Sequence, residues 1–589
     1  MKDGFIKVGA AVPEIRVGDC EYNADRIIER IGEAYEAGVR VLVLPELCVT
    51  GCSCGDAFMH SGLLNGAQSA LERIVGETAA FDIVCAVGAP VRFEGALRNC
   101  AVVFAKGEIL GIVPERGVSG EKLRYFAADG KSPMFVCKEF GDISIEAVVG
   151  SDKPVTGASI VLRMTAEPEY VGSDEYRSAF VSVLSHENHC VLVSANAGTG
   201  ESTASCVYTG GTMIYENGKK LDGDIADADI GFIAYERRRC GFVPEHSGET
   251  VLFTLQPDDT KLTHAFSRFP FVPDSETELK KRCEQVFGLQ HLGLEKRIKH
   301  TGAEKLVIGL SGGLDSTLAL LVCVKAAESC LKGSEDVVAV TMPCFGTTNR
   351  TKSNAEKLAE LCGATLRTVD ISEAVKLHFR DIGHDPDLHN AAFENAQARE
   401  RTQVLMDIAN DVNGLVVGTG DMSELALGWA TYGGDQMSMY GVNAGVPKTL
   451  IQRMVAHFAD TADDAELAAV LRDIVATPIS PELLPDQKTE DSVGPYELHD
   501  FFLYHLIRRG SSPAKIYRIA RQTFAGVYDN ETVRKWLKTF CRRFFSQQFK
   551  RSCSPDGVRV GSVSVAPADL RLPSDICGEI WLKEAEALE

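Results

Sequence analysis

Residues 306–317 combine residue types that can bind a phosphate group together with the metal ion that accompanies it. Residues 306–310 are apolar and β-branched, which is typical of a buried strand, and residues 317–327 have the composition of a helix. At a helix N-terminus, unpaired backbone N–H groups converge and the helix dipole is positive. We therefore predict an anion-binding loop between this strand and this helix.

The loop reads Ser311-Gly312-Gly313-Leu314-Asp315-Ser316, and Gly309 precedes it by two positions. Glycines let the backbone come close to an oxyanion, and hydroxyl groups add further donors. Asp315 repels phosphate, so we expect it to hold a Mg²⁺ ion that bridges to phosphate oxygens. The common phosphate-binding loop differs, because it requires Gly-x4-Gly-Lys-Ser/Thr. A glycine-rich turn that merely joins strand to helix is the alternative interpretation.

A second acidic segment, 419–424, follows a second apolar run that predicts a strand at 415–418. Ligands of parallel sheets bind beyond the carboxyl ends of the strands. Three hydroxyl residues fall at such ends: Ser311, Thr347 and Thr419. We therefore predict that these ends form one site, in which Asp315 and Glu424 hold the same Mg²⁺ ion.

Strands and helices alternate through the second half of the chain, which predicts right-handed βαβ units on a doubly wound parallel sheet. Further strands are predicted at 337–342 and 365–369, and helices at 278–300, 352–362 and from 394 onwards. The first helix should turn Val286, Leu289, Leu292 and Leu294 inward, and the last should turn Ala398, Leu405 and Ile408 inward. Arg399 and Arg401 lie off that stripe and are free to serve phosphates, unless they only face solvent.

The first half mixes short strands with helices, which favours an α/β sandwich. Strands are predicted at 5–12, 39–44, 83–90, 99–105 and 109–114, with a hairpin turn at Lys106-Gly107. A helix at 24–37 should be capped by Asn23. Two prolines among aromatic residues at 265–276 indicate an ordered crossover into the second half.

Bulk composition limits the classes of function. A chain of 589 residues predicts roughly two to four domains. The net charge of −21 argues against nonspecific binding to nucleic acid or to an anionic membrane. No apolar run approaches the roughly 18 residues of a membrane span, and the N-terminus lacks a signal-peptide layout. Eighteen scattered cysteines without a Cys-x-x-Cys pair predict reduced thiols in a cytoplasmic protein.

The Ser-Gly-Gly-x-Asp-Ser loop resembles the pyrophosphate loop of N-type ATP pyrophosphatases. Longer strings at 423–435, 446–449, 480–485, 494–502 and 548–552 resemble NAD⁺ synthetases nearly continuously through residue 575. The resemblance implies a Rossmann-like NAD synthetase domain over 276–589. It also implies ATP, Mg²⁺ and deamido-NAD⁺ as ligands, an acyl-adenylate intermediate, and AMP and pyrophosphate as products.

The same resemblance implies roles for individual residues. Those implied for ATP are Gly309, Ser311, Gly312, Gly313, Asp315, Ser316 and Thr419, with Mg²⁺ on Asp315 and Glu424. Those implied for deamido-NAD⁺ are Asn395, Arg399, Glu424, Trp429, Thr431, Tyr432 and Lys550. Lys448 would face the phosphates and, with Asp315, act in catalysis. Family members commonly form homo-oligomers, so the resemblance implies one here.

Segments 44–51, 175–177, 198–203 and 214–218 resemble the nitrilase superfamily, and in particular the glutaminase domain of glutamine-dependent NAD⁺ synthetases. The resemblance implies a nitrilase-like α-β-β-α sandwich over 1–266. That glutaminase uses a Glu-Lys-Cys triad. Here Glu46 matches the glutamate, but Glu115 stands at the lysine position and Ile145 at the cysteine position. We therefore expect an inactive glutaminase with Glu46 as a relic, and direct use of ammonia.

Three alternatives remain open. Another cysteine could replace the nucleophile, with Cys137, Cys48, Cys52 and Cys54 as candidates, and Lys122 or Arg116 could supply the positive charge. Glutamine would then still serve as nitrogen donor. Alternatively, the chain could bind nucleotides as a regulator without catalysis. A different ATP pyrophosphatase is disfavoured by the negative charge and by the 394–401 motif.

Overall fold

The computed structural model describes residues 2–130, 132–244, 246, 248–346, 349–478, 483 and 489–588. Thr347 and most of the 480–485 string lie outside these described residues. The chain divides into two compact units, 1–265 and 266–589. In the described part of the chain, no helix is both long and apolar enough to cross a membrane.

The first unit contains two stacked sheets. Their strands are β1 Phe5–Ala10, β2 Val41–Val43, β3 Val84–Phe93, β4 Ala96–Ala105, β5 Glu108–Pro114, β6 Met134–Cys137, β7 Ser144–Val149, β8 Ile160–Thr165, β9 Val191–Asn196, β10 Thr212–Glu216, β11 Lys219–Leu221, β12 Ile225–Asp229 and β13 Thr250–Phe253. One sheet has the order β12-β1-β2-β3-β4-β5, and the other has the order β11-β10-β9-β8-β7-β6-β13.

The helices of this unit are α1 Cys20–Glu36, α2 Ser61–Glu77, α3 Ser173–Glu187 and α4 Ile230–Cys240. The two sheets bury a shared apolar layer that includes Val8, Val43, Ile145 and Leu162. α1 and α2 pack on the outside of the first sheet, and α3 packs on the outside of the second. The α-β-β-α sandwich is therefore confirmed.

The second unit is built on a parallel sheet of order β16-β15-β14-β17-β18. Its strands are β14 Lys305–Gly309, β15 Val337–Thr341, β16 Thr365–Thr368, β17 Gly414–Gly418 and β18 Tyr440–Gly441. Two buried apolar clusters include residues from β14, β15 and β17 and pack helices against them. This is the doubly wound parallel sheet that the strand–helix alternation predicts.

The helices of this unit begin with the long α5 Glu276–Thr301. The others are α6 Leu314–Cys330, α7 Asn349–Leu361, α8 Ser372–Ile382, α9 Ala391–Asp411, α10 Met422–Leu427, α11 Lys448–Thr461, α12 Ala465–Val475, α13 Thr489–Val493, α14 Tyr496–Leu503, α15 Pro513–Thr523, α16 Asn530–Ser546, α17 Gln548–Arg551 and α18 Glu579–Glu586.

Two local predictions are wrong. Helix α1 begins earlier than predicted and is capped by Asp19, whose carboxylate accepts from the Tyr22 N–H at 3.2 Å. Asn23 is buried inside the helix, where its amide donates to the Val49 carbonyl. On α5, Leu289 and Leu292 are 44% and 57% exposed, so they do not belong to the apolar core that Val286 and Leu294 enter.

Candidate active site

The loop between β14 and α6 has the form of an anion site. Gly313 precedes the first residue of α6, and no side chain caps that helix end within the described residues. The hydroxyl groups of Ser311 and Ser316 lie 3.1 Å apart, and the Gly313 N–H donates to the Ser311 hydroxyl at 3.2 Å. The first-turn amides and these hydroxyl groups are therefore grouped at the positive end of the helix dipole.

Gly312 is required by the course of the loop. Its φ is +87°, in the left-handed region that favours glycine. A Cβ at this position would overlap the backbone carbonyl of Thr351 in the first turn of α7. The loop thus passes too close to α7 for any side chain at position 312.

Three carboxylates meet beside this loop. Asp315 lies in the first turn of α6, Asp421 is the N-cap of α10, and Glu424 lies in the first turn of α10. One oxygen of each lies within 4.8 Å of one oxygen of each of the others. We call this group the carboxylate trio. The two strand ends that were predicted to meet, those of β14 and β17, deliver it.

Lys448 lies within the carboxylate trio. Its ammonium nitrogen is 2.7 Å from Asp315 Oδ2, 2.6 Å from Asp421 Oδ2 and 2.8 Å from Glu424 Oε1. The Lys448 side chain is only 2% exposed. One ammonium group against three carboxylates leaves two unbalanced negative charges if all of them are ionised.

Burial and this excess of negative charge shift the pKa values of Asp315, Glu424 and Lys448. Burial raises the pKa of Asp315 to about 6, and Asp421 adds to the rise while Lys448 opposes it. Burial also raises the pKa of Glu424, again against the attraction of Lys448. Burial by itself lowers the pKa of Lys448, but the three carboxylates outweigh it and raise that pKa well above its usual value.

Polar side chains brace the trio from behind. The Asn443 amide donates to the Asp315 carbonyl at 2.9 Å and to the Thr419 carbonyl at 3.1 Å, and so joins the two strand ends. The Ser423 hydroxyl accepts from the Lys448 N–H at 2.9 Å and donates to the buried Asp500 carboxylate. Burial raises the pKa of Asp500 to about 6.

A second group of predicted residues surrounds the loop that follows α10. Lys550 donates to the carbonyls of Gly428 and Ala430 at 2.9 and 2.7 Å. The Thr431 hydroxyl donates to Asn395 Oδ1 at 2.8 Å, and Arg399 donates to the Tyr432 carbonyl at 3.2 Å. These contacts fix segment 428–432, so Asn395, Arg399 and Lys550 shape this loop.

The aromatic residues of the same loop differ in exposure. The Arg543 guanidinium lies 5.2 Å from the centroid of the Trp429 ring. Tyr432 is 49% exposed, and its ring centroid lies 5.6 Å from that of Phe549. Arg401, which the sequence offers as a candidate for phosphate contacts, donates to the Met342 carbonyl at 3.3 Å.

Sequence reasoning did not select Asp421, Asn443 or Asp500 as site residues. Asp421 stands within the 419–424 string that ends β17, so its position after a strand was a usable signal. Asn443 and Asp500 carry no such signal, because each reaches the site through contacts with residues at least 24 positions away.

In the first unit, Glu46 belongs to a buried charged cluster. Its Oε1 accepts from the Asn99 amide at 2.7 Å, and it forms an ion pair with Lys122. The Lys122 ammonium also lies 3.1 Å from Glu115 Oε1, and Asn99 donates to Glu115 Oε2 at 2.7 Å. A lysine therefore stands between the two glutamates, although it comes from a different place in the sequence than the family pattern implies.

The residue that faces this cluster from the end of β7 is Gly150. Its φ is +63°, and a Cβ there would lie 3.1 Å from Lys122 Nζ and would overlap the Glu115 carboxylate. Ile145 lies inside β7 and is fully buried between the two sheets. The carboxylate of Glu115 thus fills the space into which a side chain at position 150 would extend.

Burial disfavours the thiolate form of the four cysteines suggested as replacement nucleophiles. Burial raises the pKa of Cys48 to about 12 and, together with Glu201, that of Cys54 to about 12. Burial and Glu201 raise the pKa of Cys52 strongly, and Glu46 adds a smaller contribution. Burial raises the pKa of Cys137, whose thiol donates to Glu139 at 3.5 Å.

We predict that Lys122→Met destabilises the first unit, because it leaves Glu46 and Glu115 buried without a counter-ion. Breaking a buried pair costs about 3–5 kcal/mol, and the partial exposure of Lys122 reduces our expectation to about 2 kcal/mol. Urea unfolding measures this loss. The exposed Lys138→Met is the control, and adding Glu115→Gln to Lys122→Met should restore part of the stability. An unchanged unfolding midpoint in Lys122→Met would contradict the prediction.

Comparison with known proteins agrees with both units. Residues 289–551 match the family model described as NAD synthase, and residues 7–133 match the one described as Carbon-nitrogen hydrolase. A crystal structure of a glutamine-dependent NAD(+) synthetase from Cytophaga hutchinsonii has 20% sequence identity, covers 99% of this chain and 100% of its own, and gives a TM-score of 0.44.

Curated relatives match over nearly the whole length. The Glutamine-dependent NAD(+) synthetase of Mycobacterium bovis is 34% identical, and the match covers 99% of this chain and 98% of the relative. The protein of the same name from Aquifex aeolicus is 25% identical, with coverage of 95% and 97%. At this level of identity and coverage, the chain belongs to the glutamine-dependent NAD(+) synthetase family.

Proposed function

We propose that the protein amidates deamido-NAD⁺ to NAD⁺ with ATP, and that it takes ammonia directly as its nitrogen donor. The observation that carries this proposal is the Ser-Gly-Gly loop at the start of α6 with the carboxylate trio beside it. Such a site suits a nucleoside triphosphate. Its N–H and hydroxyl groups can donate hydrogen bonds to phosphate oxygens, and its carboxylates can coordinate the accompanying cation.

The first step transfers an adenylyl group. The nicotinate carboxylate of deamido-NAD⁺ attacks the α-phosphorus of ATP, a carboxylate O–P bond forms, and the bond to the β-phosphate oxygen breaks. Pyrophosphate leaves with the bonding electron pair. Ser311, Ser316 and the first-turn amides of α6 would stabilise the charge that builds on it, because preorganised donors are worth most where charge develops.

The carboxylate trio fits a Mg²⁺ ion by the chemistry of its donors. Asp315, Asp421 and Glu424 offer only oxygen atoms, which Mg²⁺ prefers, and they carry a surplus of negative charge. When bound there, Mg²⁺ would neutralise phosphate oxygens and polarise the phosphorus. The trio would orient it, while Asn443 and Ser423 hold the strand ends and helix that carry the trio.

The second step releases AMP. Ammonia attacks the acyl carbon of the adenylate, a C–N bond forms, the C–O bond to AMP breaks, and the added nitrogen loses a proton. Segment 428–432 supports the dinucleotide in this proposal, since Lys550, Asn395 and Arg399 fix its backbone. Trp429 and Tyr432 then offer ring faces to the substrate.

The buried charged cluster around Glu46 in the first unit supports direct use of ammonia. Glu46 and Lys122 are present there, but the strand end that faces them carries Gly150, and Glu115 fills the adjoining space. Glycine has no nucleophile, and a carboxylate beside the site repels an oxyanion. The relatives' names specify glutamine, so this chain would differ from them in its nitrogen source.

Cys52 is the strongest candidate for a replacement nucleophile, because Glu46 and Glu201 both act on its thiol electrostatically. Both glutamates raise its pKa, however, and the thiolate is the reactive form of cysteine. Glu201 is also occupied, since it accepts from the Cys52 and Ser53 N–H groups at 2.7 and 3.0 Å.

The test compares nitrogen donors. Purified full-length protein is supplied with ATP, Mg²⁺ and deamido-NAD⁺, and NAD⁺ is measured with ammonium or with amide-¹⁵N glutamine freed of ammonia. We expect turnover with ammonium, and with glutamine less than about one hundredth of that rate, since loss of a nucleophile typically costs far more than this.

Each outcome has a defined meaning. A glutamine-supported rate close to the ammonium rate contradicts direct use of ammonia, and its loss in Cys52→Ala but not in Cys137→Ala would identify the thiol responsible. Absence of NAD⁺ formation with both donors contradicts the proposed activity itself. Nucleotide binding without turnover would then favour the regulator.

A further inference from the structure

Lys448 lies where a metal ion held by the carboxylate trio would have to lie. Its ammonium nitrogen contacts one oxygen of each of Asp315, Asp421 and Glu424 at 2.6–2.8 Å. The trio's oxygens lie within 4.8 Å of one another, so a single centre can contact all three carboxylates. An ammonium group and a divalent cation cannot both occupy that centre, because they would need the same space between the same oxygens and their positive charges repel each other.

We propose that Lys448 is an internal counter-ion that holds the divalent-cation position when nucleotide is absent, and that it must leave this position before a metal ion binds there. This inference rests on the proposed function, which assigns a metal to the trio. The inference adds that nucleotide binding promotes metal binding. The triphosphate supplies negative charge with which the displaced Lys448 ammonium group can pair.

The location of Lys448 in its helix supports this role. It is the first residue of α11, where the helix dipole is positive and a lysine is unfavourable. Helix stability therefore does not explain a lysine here, whereas the carboxylate trio does. The backbone N–H of Lys448 is held by the Ser423 hydroxyl at 2.9 Å, so the base of the side chain is fixed while its four-carbon stem can change rotamer.

The trio also needs a cation at all times. Three carboxylates so close together, of which Asp421 is fully buried and the other two are partly buried, would repel one another strongly without a counter-charge. Lysine meets this need without a free ion, at N···O distances of 2.6–2.8 Å. The trio is therefore already assembled around a cationic group before any metal ion binds.

The test measures metal binding rather than turnover. Mn²⁺ is titrated into the full-length protein without nucleotide, and free Mn²⁺ is followed by electron paramagnetic resonance. We expect Lys448→Met to bind Mn²⁺ at least tenfold more tightly than the unmodified protein, and Asp421→Asn in the Lys448→Met background to lose most of that gain. Lys7→Met is the matched control, since Lys7 is a buried lysine paired with Asp227 at 3.2 Å in the other unit.

The outcomes separate this inference from the proposed function. If the unmodified protein binds Mn²⁺ tightly with ATP but Lys448→Met shows no gain without it, the counter-ion role is overturned while the metal site stands. If no variant binds Mn²⁺ even with ATP, the metal assignment fails as well. Should Lys448→Met fail to fold, the unmodified protein decides alone: Mn²⁺ affinity that is equal with and without ATP overturns the proposal.

Discussion

Replacing Asp315 by asparagine should lower the rate of ammonia-dependent NAD⁺ formation by about 10³-fold, because it would remove a proposed metal ligand and part of the electrostatic field around the phosphates. Asp315 is one of three carboxylates within 4.8 Å of one another, and it is fixed by its place in the first turn of α6. An asparagine of the same shape keeps the packing but removes the charge.

The first partial reaction localises this effect. Exchange of labelled pyrophosphate into ATP in the presence of deamido-NAD⁺ should fall as strongly as overall turnover, since the proposed adenylation step uses the trio. Asp336→Asn is the matched control: Asp336 is a buried aspartate of the same unit that pairs with Lys305 away from the loop. It should affect stability but leave pyrophosphate exchange within a few-fold. Equal exchange rates in Asp315→Asn and the unmodified protein would exclude Asp315 from catalysis.

Gly312→Ala should damage both stability and nucleotide binding. A residue other than glycine at φ +87° is strained, and the new Cβ would overlap the Thr351 carbonyl. We expect a loss of about 3 kcal/mol in the free energy of unfolding, from left-handed strain and overpacking together. The loop can escape only by moving away from α7, which would displace the hydroxyl and amide donors and weaken ATP binding.

The neighbouring glycine supplies the control. Gly313 has φ −93°, and among the described residues a Cβ there would meet only the Ser311 hydroxyl, at 3.4 Å. The free energy of unfolding of Gly313→Ala should therefore lie within about 1 kcal/mol of that of the unmodified protein, as is usual for a substitution without a clash. Urea unfolding and ATP titration calorimetry on both variants make the comparison. Similar losses in the two variants would show that the close approach to α7 is not what constrains the loop.

Much of the fold can be predicted from the hydrophobic periodicity of the sequence and from the small or polar residues that end its apolar runs. The strands around Ser311 and Thr419 are short apolar runs that end in small or polar residues, and the structure has strands there. The error at Asn23 arose because two candidate capping residues lie four positions apart, and only tertiary contacts decide between them. The error at Leu289 and Leu292 arose because an imperfect helical spacing does not fix which side of a long helix is covered.

The site was predictable in part, for a similar reason. Asp315 and Glu424 follow strands directly, so parallel topology suffices to expect them together, and their assignment to a metal stays a prediction. The partnership of Lys448 with the trio joins residues 24 to 133 positions apart, and spacing along the chain carries no information about that. Likewise, Gly150 is recognised as the residue that faces the Glu46 cluster only from the position at which β7 ends and from the Glu115 carboxylate beside it.

Under the proposed direct use of ammonia, the close approach of Glu115 to Gly150 would make a return to glutamine hydrolysis difficult. A cysteine that arose at position 150 by a single mutation would meet the Glu115 carboxylate before it could meet any substrate. A glutamate exchanged first would disturb the charge balance around Lys122 without any return in activity. On that proposal, glutamine hydrolysis would need two changes, neither of which is useful alone, and selection would act on the supply of ammonia instead.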